Sequence, residues 1–180
     1  IERVLRWANS VYGLGVACWR YFNAAEADPL GRAGEDHRPE THLIPLSIDV
    51  ALGRRPELQL FGTDYPTPDG SCIRDYIHVT DLADAHIRAL DQIATRSVVY
   101  NLGNGHGYSN LEVIRSVARV SGRAVPWEPA ARRVGDPAVL VADSATLCKE
   151  TGWQPRLGGL DQIVETALQW REKNPQGYAS

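Results

Sequence analysis

Residues 62–79 read Gly62-Thr63-Asp64-Tyr65-Pro66-Thr67-Pro68-Asp69-Gly70-Ser71-Cys72-Ile73-Arg74-Asp75-Tyr76-Ile77-His78-Val79, and this stretch decides the fold. Its first half is a shaped polar loop: Gly62 and Gly70 tolerate positive φ, and Pro66, Pro68 and Asp69 preset or favour turns. Its second half is a strand, because Tyr76, Ile77 and Val79 are β-formers. Thr80-Asp81-Leu82-Ala83-Asp84 then has the spacing of a capping box opening a helix. Arg74-Asp75 therefore stands where a loop enters rigid structure. An Arg fork at such a place matches the oxygens of an anionic ligand such as a phosphate. The same two residues also read as an ion pair that pins the loop.

Outward from this stretch, strands and helices alternate, which makes the class α/β. Val16–Phe22, Leu58–Phe61 and Ser97–Leu102 read as short strands rich in β-formers. Residues Ile1–Ala8 read as the end of a helix, and Thr41–Leu52 as a helix stopped by Gly53. From Asp81 onward an apolar stripe runs through Leu82, His86, Ala89, Leu90 and Ile93. Ser109-Asn110-Leu111-Glu112 is a second capping box, followed by Leu111, Ile114, Val117 and Ala118 at helical spacing. A last helix carries Leu160, Ile163, Val164, Ala167 and Leu168. Between the first strand and the second helix lies a polar loop, Ala24–Glu40, of a length that compact domains usually reserve for function. Gly103-Asn104-Gly105-His106-Gly107 lacks the G-x-G-x-x-G spacing and reads as a tight connection rather than a dinucleotide loop.

Composition excludes several classes. With 180 residues, 43% hydrophobic and 23% charged, the chain can build one core. A net charge of −3 without basic clusters argues against a nucleic-acid surface. No apolar run approaches the ~20 residues that span a bilayer, and Ile1-Glu2-Arg3-Val4 is no signal peptide. Cys18, Cys72 and Cys148 fit neither a disulfide framework nor a metal site and read as reduced thiols of a cytoplasmic protein. His78, His86 and His106 lack metal-ligand spacing and read as structural, so no metal is expected. The chain contains no methionine, not even at its start, which suggests that the true N-terminus lies upstream.

Further stretches extend the pattern: Arg20-Tyr21-Phe22-Asn23, Gly34-Glu35-Asp36, Gly53-Arg54-Arg55, Tyr100-Asn101-Leu102-Gly103, Arg132-Arg133-Val134-Gly135-Asp136 and Asn174-Pro175-Gln176-Gly177-Tyr178. Together with residues 62–79 they resemble, in the same order, the UDP-glucose 4-epimerases of the extended short-chain dehydrogenase family. The resemblance covers nearly the whole chain but only the second half of that family's fold. It implies that residues 1–180 are the C-terminal, substrate-binding portion of a Rossmann-type enzyme whose dinucleotide-binding portion lies upstream. It further implies an enzyme that holds NAD and interconverts UDP-galactose and UDP-glucose by transient oxidation at sugar C4, within galactose metabolism. The family's base lies in a Tyr-x-x-x-Lys motif, which is absent from these residues, so the chain alone is expected to be inactive.

The resemblance also assigns roles. Tyr21 and Phe22 would border the nicotinamide and Asn23 would bond the UDP-sugar. His42 and Leu43 would touch the nucleotide, although His42 replaces an Asn of related members. Gln59, Leu60 and Phe61 would clasp the uracil with backbone groups. Arg74 and Arg133 would grip the diphosphate and Asp136 would accept from a ribose hydroxyl, while Arg132 would face solvent. Leu140 stands where hexose-restricted members carry Tyr, so UDP-N-acetylhexosamines are expected as further substrates. Family members commonly form homodimers. Two other readings stay open: a nucleotide-sugar dehydratase or decarboxylase of the same family, against which the long Asp64–Ser71 insertion speaks, and a stand-alone nucleotide-sugar-binding domain.

Overall fold

The computed structural model describes residues 1–25, 27–94 and 96–178. Glu26, inside the loop expected at Ala24–Glu40, lies outside the described residues. Helix α1 spans Glu2–Tyr12 and ends at Gly13, whose φ of 66° supplies the left-handed stop that a side chain resists. Strand β1 (Ala17–Tyr21) follows, and after a bend at Phe22 comes β2 (Asn23–Ala25). The expected loop thus begins with a strand; three residues are too few to show a sequence period. Helix α2 (Leu43–Ala51), strand β3 (Leu58–Phe61), strand β4 (Ile73–His78), helix α3 (Val79–Ile93) and strand β5 (Val98–Leu102) come next. The chain continues through β6 (Gly107–Ser109), α4 (Asn110–Ser121), β7 (Trp127–Ala130), β8 (Val139–Leu140), α5 (Ala145–Thr151) and α6 (Leu160–Lys173).

The bend at Phe22 is where the chain changes partners. Before it, β1 runs parallel to β5, with Tyr21 opposite Leu102. After it, β2 runs parallel to β4, with Asn23 opposite Tyr76. Strand β4 also pairs antiparallel with β6 and parallel with β8, which sets Arg74 opposite both Tyr108 and Leu140. Strand β3 pairs parallel with β7 alone among the described residues. The α/β class with parallel pairing is what the alternation of elements foretold.

Two apolar cores flank this framework. One joins α2, β3, α4 and α6 through Ile48, Leu60, Val117, Ile163 and Val164. The other joins α3, α5 and β5 through Ala85, Tyr100, Leu102, Leu147 and Trp153. The capping box at the head of α4 forms as expected: Ser109 Oγ accepts from Glu112 N, and Ser109 N donates to the Glu112 carboxylate.

Helix α3 departs from expectation twice. Its cap is His78, whose Nδ1 accepts from Thr80 N at 3.1 Å, so Val79 belongs to the helix and Thr80 does not cap it. Its inward face is Asp81, Ala85 and Ala89, whereas Leu90 is exposed. Small residues let the helix lie close to the sheet; Leu82 and Ile93 of the expected stripe pack against the second core, while Ile87 and Leu90 rotate outward.

Candidate functional site

A cleft of about 1150 Å³ opens at the carboxyl ends of β1 and β3, lined by Phe22, Asn23, His42, Gln59, Arg74 and Arg133 among others. Strand ends are where open α/β sheets expose ligand crevices. The two-strand step at Phe22 widens this one, because β5 and β4 flank different stretches of the same run. No helix among the described residues is long and apolar enough to cross a membrane.

Cationic groups form one wall. Arg74, largely buried, donates from Nη2 to Asp136 Oδ1 at 2.7 Å and from Nη1 to Ile73 O at 2.7 Å. Arg74 and Asp75 are therefore no ion pair; as neighbours on a strand they point to opposite faces. Arg133 lies with its guanidinium 4.3 Å above the Phe61 ring, which holds the charge at the cleft. Arg132 turns the other way and is exposed, as expected, while it also pairs with Asp64 at 2.7 Å and stacks 4.2 Å over Tyr65. That pair holds the Asp64 carboxyl below its ordinary range.

Strand β3 offers a backbone edge. Leu58 N donates to Pro126 O and Gly62 N to Ala130 O, so alternate residues of this segment face β7. By the two-residue alternation of a parallel pair, the N–H and C=O of Gln59 and Phe61 point away from β7, toward the unpaired edge. Leu60 faces inward and is fully buried in the first core.

The remaining expected residues fall as follows. Tyr21 and Phe22 border the cleft at the bend, and Tyr21 Oη lies 2.6 Å from His86 Nε2; partial burial raises the Tyr21 hydroxyl pKa. Asn23 Nδ2 donates to Asp75 O at 2.7 Å. His42 caps α2 through its backbone while its ring turns to Glu35 and Glu40; Leu43 begins the helix, and both reach the cleft. Asp136 borders the cleft beside Arg74. Leu140 sits on β8 next to Arg74, half exposed, and is not among the residues lining the cleft.

The glycine-rich turn is closed to phosphate. Asn104 N and Gly105 N donate to the fully buried Asp75 carboxylate at 2.7 and 2.9 Å, and Ala142 N joins them at 3.1 Å. A dinucleotide diphosphate finds no cradle there, in keeping with the glycine spacing.

Sequence reading passed over Glu35, His37 and Thr41, which also border the cleft. The signal for them was the run Glu35-x-His37-x-x-Glu40-x-His42, two carboxylates interleaved with two imidazoles.

Parallel strands, a crevice at their carboxyl ends and an arginine wall define an α/β protein built to hold an anionic ligand. The chain belongs to the NAD dependent epimerase/dehydratase family, whose model matches residues 1–103. It is 50% identical over 182 residues to the UDP-glucose 4-epimerase of Halalkalibacterium halodurans, an alignment covering 100% of this chain and 54% of the relative. A UDP-glucose 4-epimerase crystal structure superposes with a TM-score of 0.96 at 49% identity, covering 99% of this chain and 55% of that one. The Bifidobacterium longum UDP-glucose 4-epimerase in complex with NAD+ and UDP superposes with a TM-score of 0.91 at 40% identity, covering 98% and 53% of the two chains. The chain thus spans about half the length of the relatives it matches.

Proposed function

We propose that residues 1–180 are the substrate-binding portion of a UDP-glucose 4-epimerase, which interconverts UDP-galactose and UDP-glucose with bound NAD. The observation that carries this reading is the convergence of Arg74, Arg133 and the open edge of β3 on one cleft. The backbone groups of Gln59 and Phe61 mimic base pairing toward uracil. The two guanidinium groups reach the diphosphate from separate segments, Arg74 aimed by Asp136 and Arg133 by the Phe61 ring. Asp136, whose Oδ2 takes only a long 3.9 Å contact from Cys72 Sγ, accepts from the ribose. Asn23 and the His42-Leu43 backbone orient the sugar, and Tyr21 and Phe22 wall the nicotinamide.

NAD, held mainly by residues upstream, would supply hydride acceptance at sugar C4. This chain's residues hold the nucleotide so that the sugar can present either face. The epimerase reading brings with it galactose metabolism, a homodimer and a cytoplasmic setting, the last supported by three free thiols.

Binding and turnover separate the parts of this reading. The chain alone is expected to bind UDP but to show no interconversion of UDP-sugars with added NAD. In the complete enzyme, Arg133→Ala should weaken UDP-sugar binding by about 2–4 kcal/mol, the loss of a charge-assisted contact to a desolvated diphosphate. Retained NAD would show an intact fold. A KM within about twofold of the parent would remove Arg133 from the phosphate site.

Leu140 carries the reading on sugar size. Leu140 stands outside the cleft lining described above but opposite Arg74, which does line it, and there leucine leaves more room than tyrosine, so UDP-N-acetylhexosamines are substrates on this reading. Leu140→Tyr should suppress kcat/KM for UDP-N-acetylglucosamine while sparing UDP-glucose, within the ~1–3 kcal/mol that pocket volume discriminates. An unchanged ratio would return Leu140 to ordinary packing.

A further inference from the structure

Four side chains outside the arginine wall converge on one point. His37 Nδ1 and His42 Nδ1 both lie 2.8 Å from Glu35 Oε1, and His42 Nδ1 lies 2.9 Å from Glu40 Oε1. The two imidazole rings are 4.8 Å apart, and one ligand atom from each of the four residues falls within 4.8 Å of all the others. Tetrahedral zinc places its N and O ligands about 2.0–2.2 Å from the ion, so ordinary rotamer adjustment closes this group around a cation. Two imidazoles with two carboxylates are also a donor set of the right softness for zinc-class ions, while calcium and magnesium prefer oxygen alone.

The supporting groups are those of a built site rather than a chance surface cluster. The Glu40 side chain is only 9% exposed, although it carries a charge. Its Oε1 is fixed by the backbone N–H of Thr41 and of His42, at 2.8 and 2.9 Å, and its Oε2 faces Arg171 Nη2 at 3.5 Å. Arg171 is in turn aimed by Asp49 at 3.4 Å. Such outer partners orient metal-bound carboxylates. The two rings stay accessible, which provides an entry path for the ion.

We propose that Glu35, His37, Glu40 and His42 form a binding site for one zinc-class divalent cation on the rim of the cleft. On binding, each ring takes the Nε2–H tautomer through solvent, and the freed Nδ1 lone pair replaces the present contact to Glu35. Two carboxylates and two neutral imidazoles meet the charge of the ion. The cation ties the loop at residues 35–40 to the first turn of α2 and stiffens that side of the cleft. This site stands independently of the UDP-sugar reading, because none of its contacts needs a nucleotide.

The test is titration of chelator-stripped protein with Zn2+ by calorimetry and with Co2+ by visible absorption. One Zn2+ per chain and the intense spectrum of tetrahedral Co2+ are expected, with a raised Tm. His37→Gln and Glu35→Gln should each weaken Zn2+ by more than about 100-fold, beyond the ~10–100-fold that loss of a supporting group brings. His106→Gln, at an exposed ring elsewhere, should leave the titration as it was. Far-UV circular dichroism reports whether each variant is folded, and Glu40→Gln gives an independent ligand should either fail. Weak six-coordinate Co2+ absorption in the parent, or Zn2+ affinity unchanged in folded His37→Gln and Glu35→Gln, would overturn the proposal.

Discussion

Asp75 shows how far a residue's role can lie from its neighbours in sequence. Read beside Arg74 it suggests an ion pair, yet its carboxylate accepts three backbone N–H groups from two separate turns while Arg74 turns to Asp136. The reason is the strand period, which sends adjacent side chains to opposite faces. Asp75 thereby takes the place of a phosphate at the glycine-rich turn and leaves it no anion-binding capacity. Asp75→Asn offers one acceptor oxygen and sets an amide N–H against donors. It should lower unfolding stability by about 3 kcal/mol, read as a shift of the urea midpoint at unchanged m. A loss below about 1 kcal/mol would mean that water or a loop shift satisfies the freed amides. Among the residues lining the cleft, Arg133 was legible through the family resemblance carried by Arg132-Arg133-Val134-Gly135-Asp136. The imidazole–carboxylate cluster was not, since Glu35 and His42 were read for other roles and His37 and Glu40 as parts of a polar loop.

At the scale of elements, α3 illustrates a cap that no sequence rule names. His78 is buried, accepts from Thr80 N and lies 3.1 Å from the Thr166 hydroxyl. Burial drives its pKa below the ordinary imidazole value of 6.5, against the opposing pull of Asp81 and Asp28. The unfolded chain takes up a proton there as pH falls through about 6.5, and the folded chain does so only at lower pH. Stability contributed by neutral His78 is therefore complete above that value and declines below it. His78→Asn keeps a good capping acceptor without the titration and should flatten the stability profile between roughly pH 6.5 and 5. An unaltered slope in urea melts across that window would assign the loss to other groups. Elements with a strong period, α4 and α6 above all, were legible from apolar spacing and the capping box. Strands β2, β6 and β8 were not, because two or three residues carry no period, and nor was β7, whose Trp127-Glu128-Pro129-Ala130 lacks the apolar run that marked β3.

Over the whole molecule, the α/β class followed from alternation alone, but the division into two cores did not. It rests on one strand: Tyr76 belongs to the core of α2, α4 and α6, and its neighbour Ile77 to the core of α3, α5 and β5. Strand β4 is a party wall, sealed from both sides. If either core opens alone, the other still covers it. Deuterium from solvent should therefore reach the amides of Tyr76 and Ile77 only when both halves have come apart, so these two clocks are expected to run slowly and keep the same time.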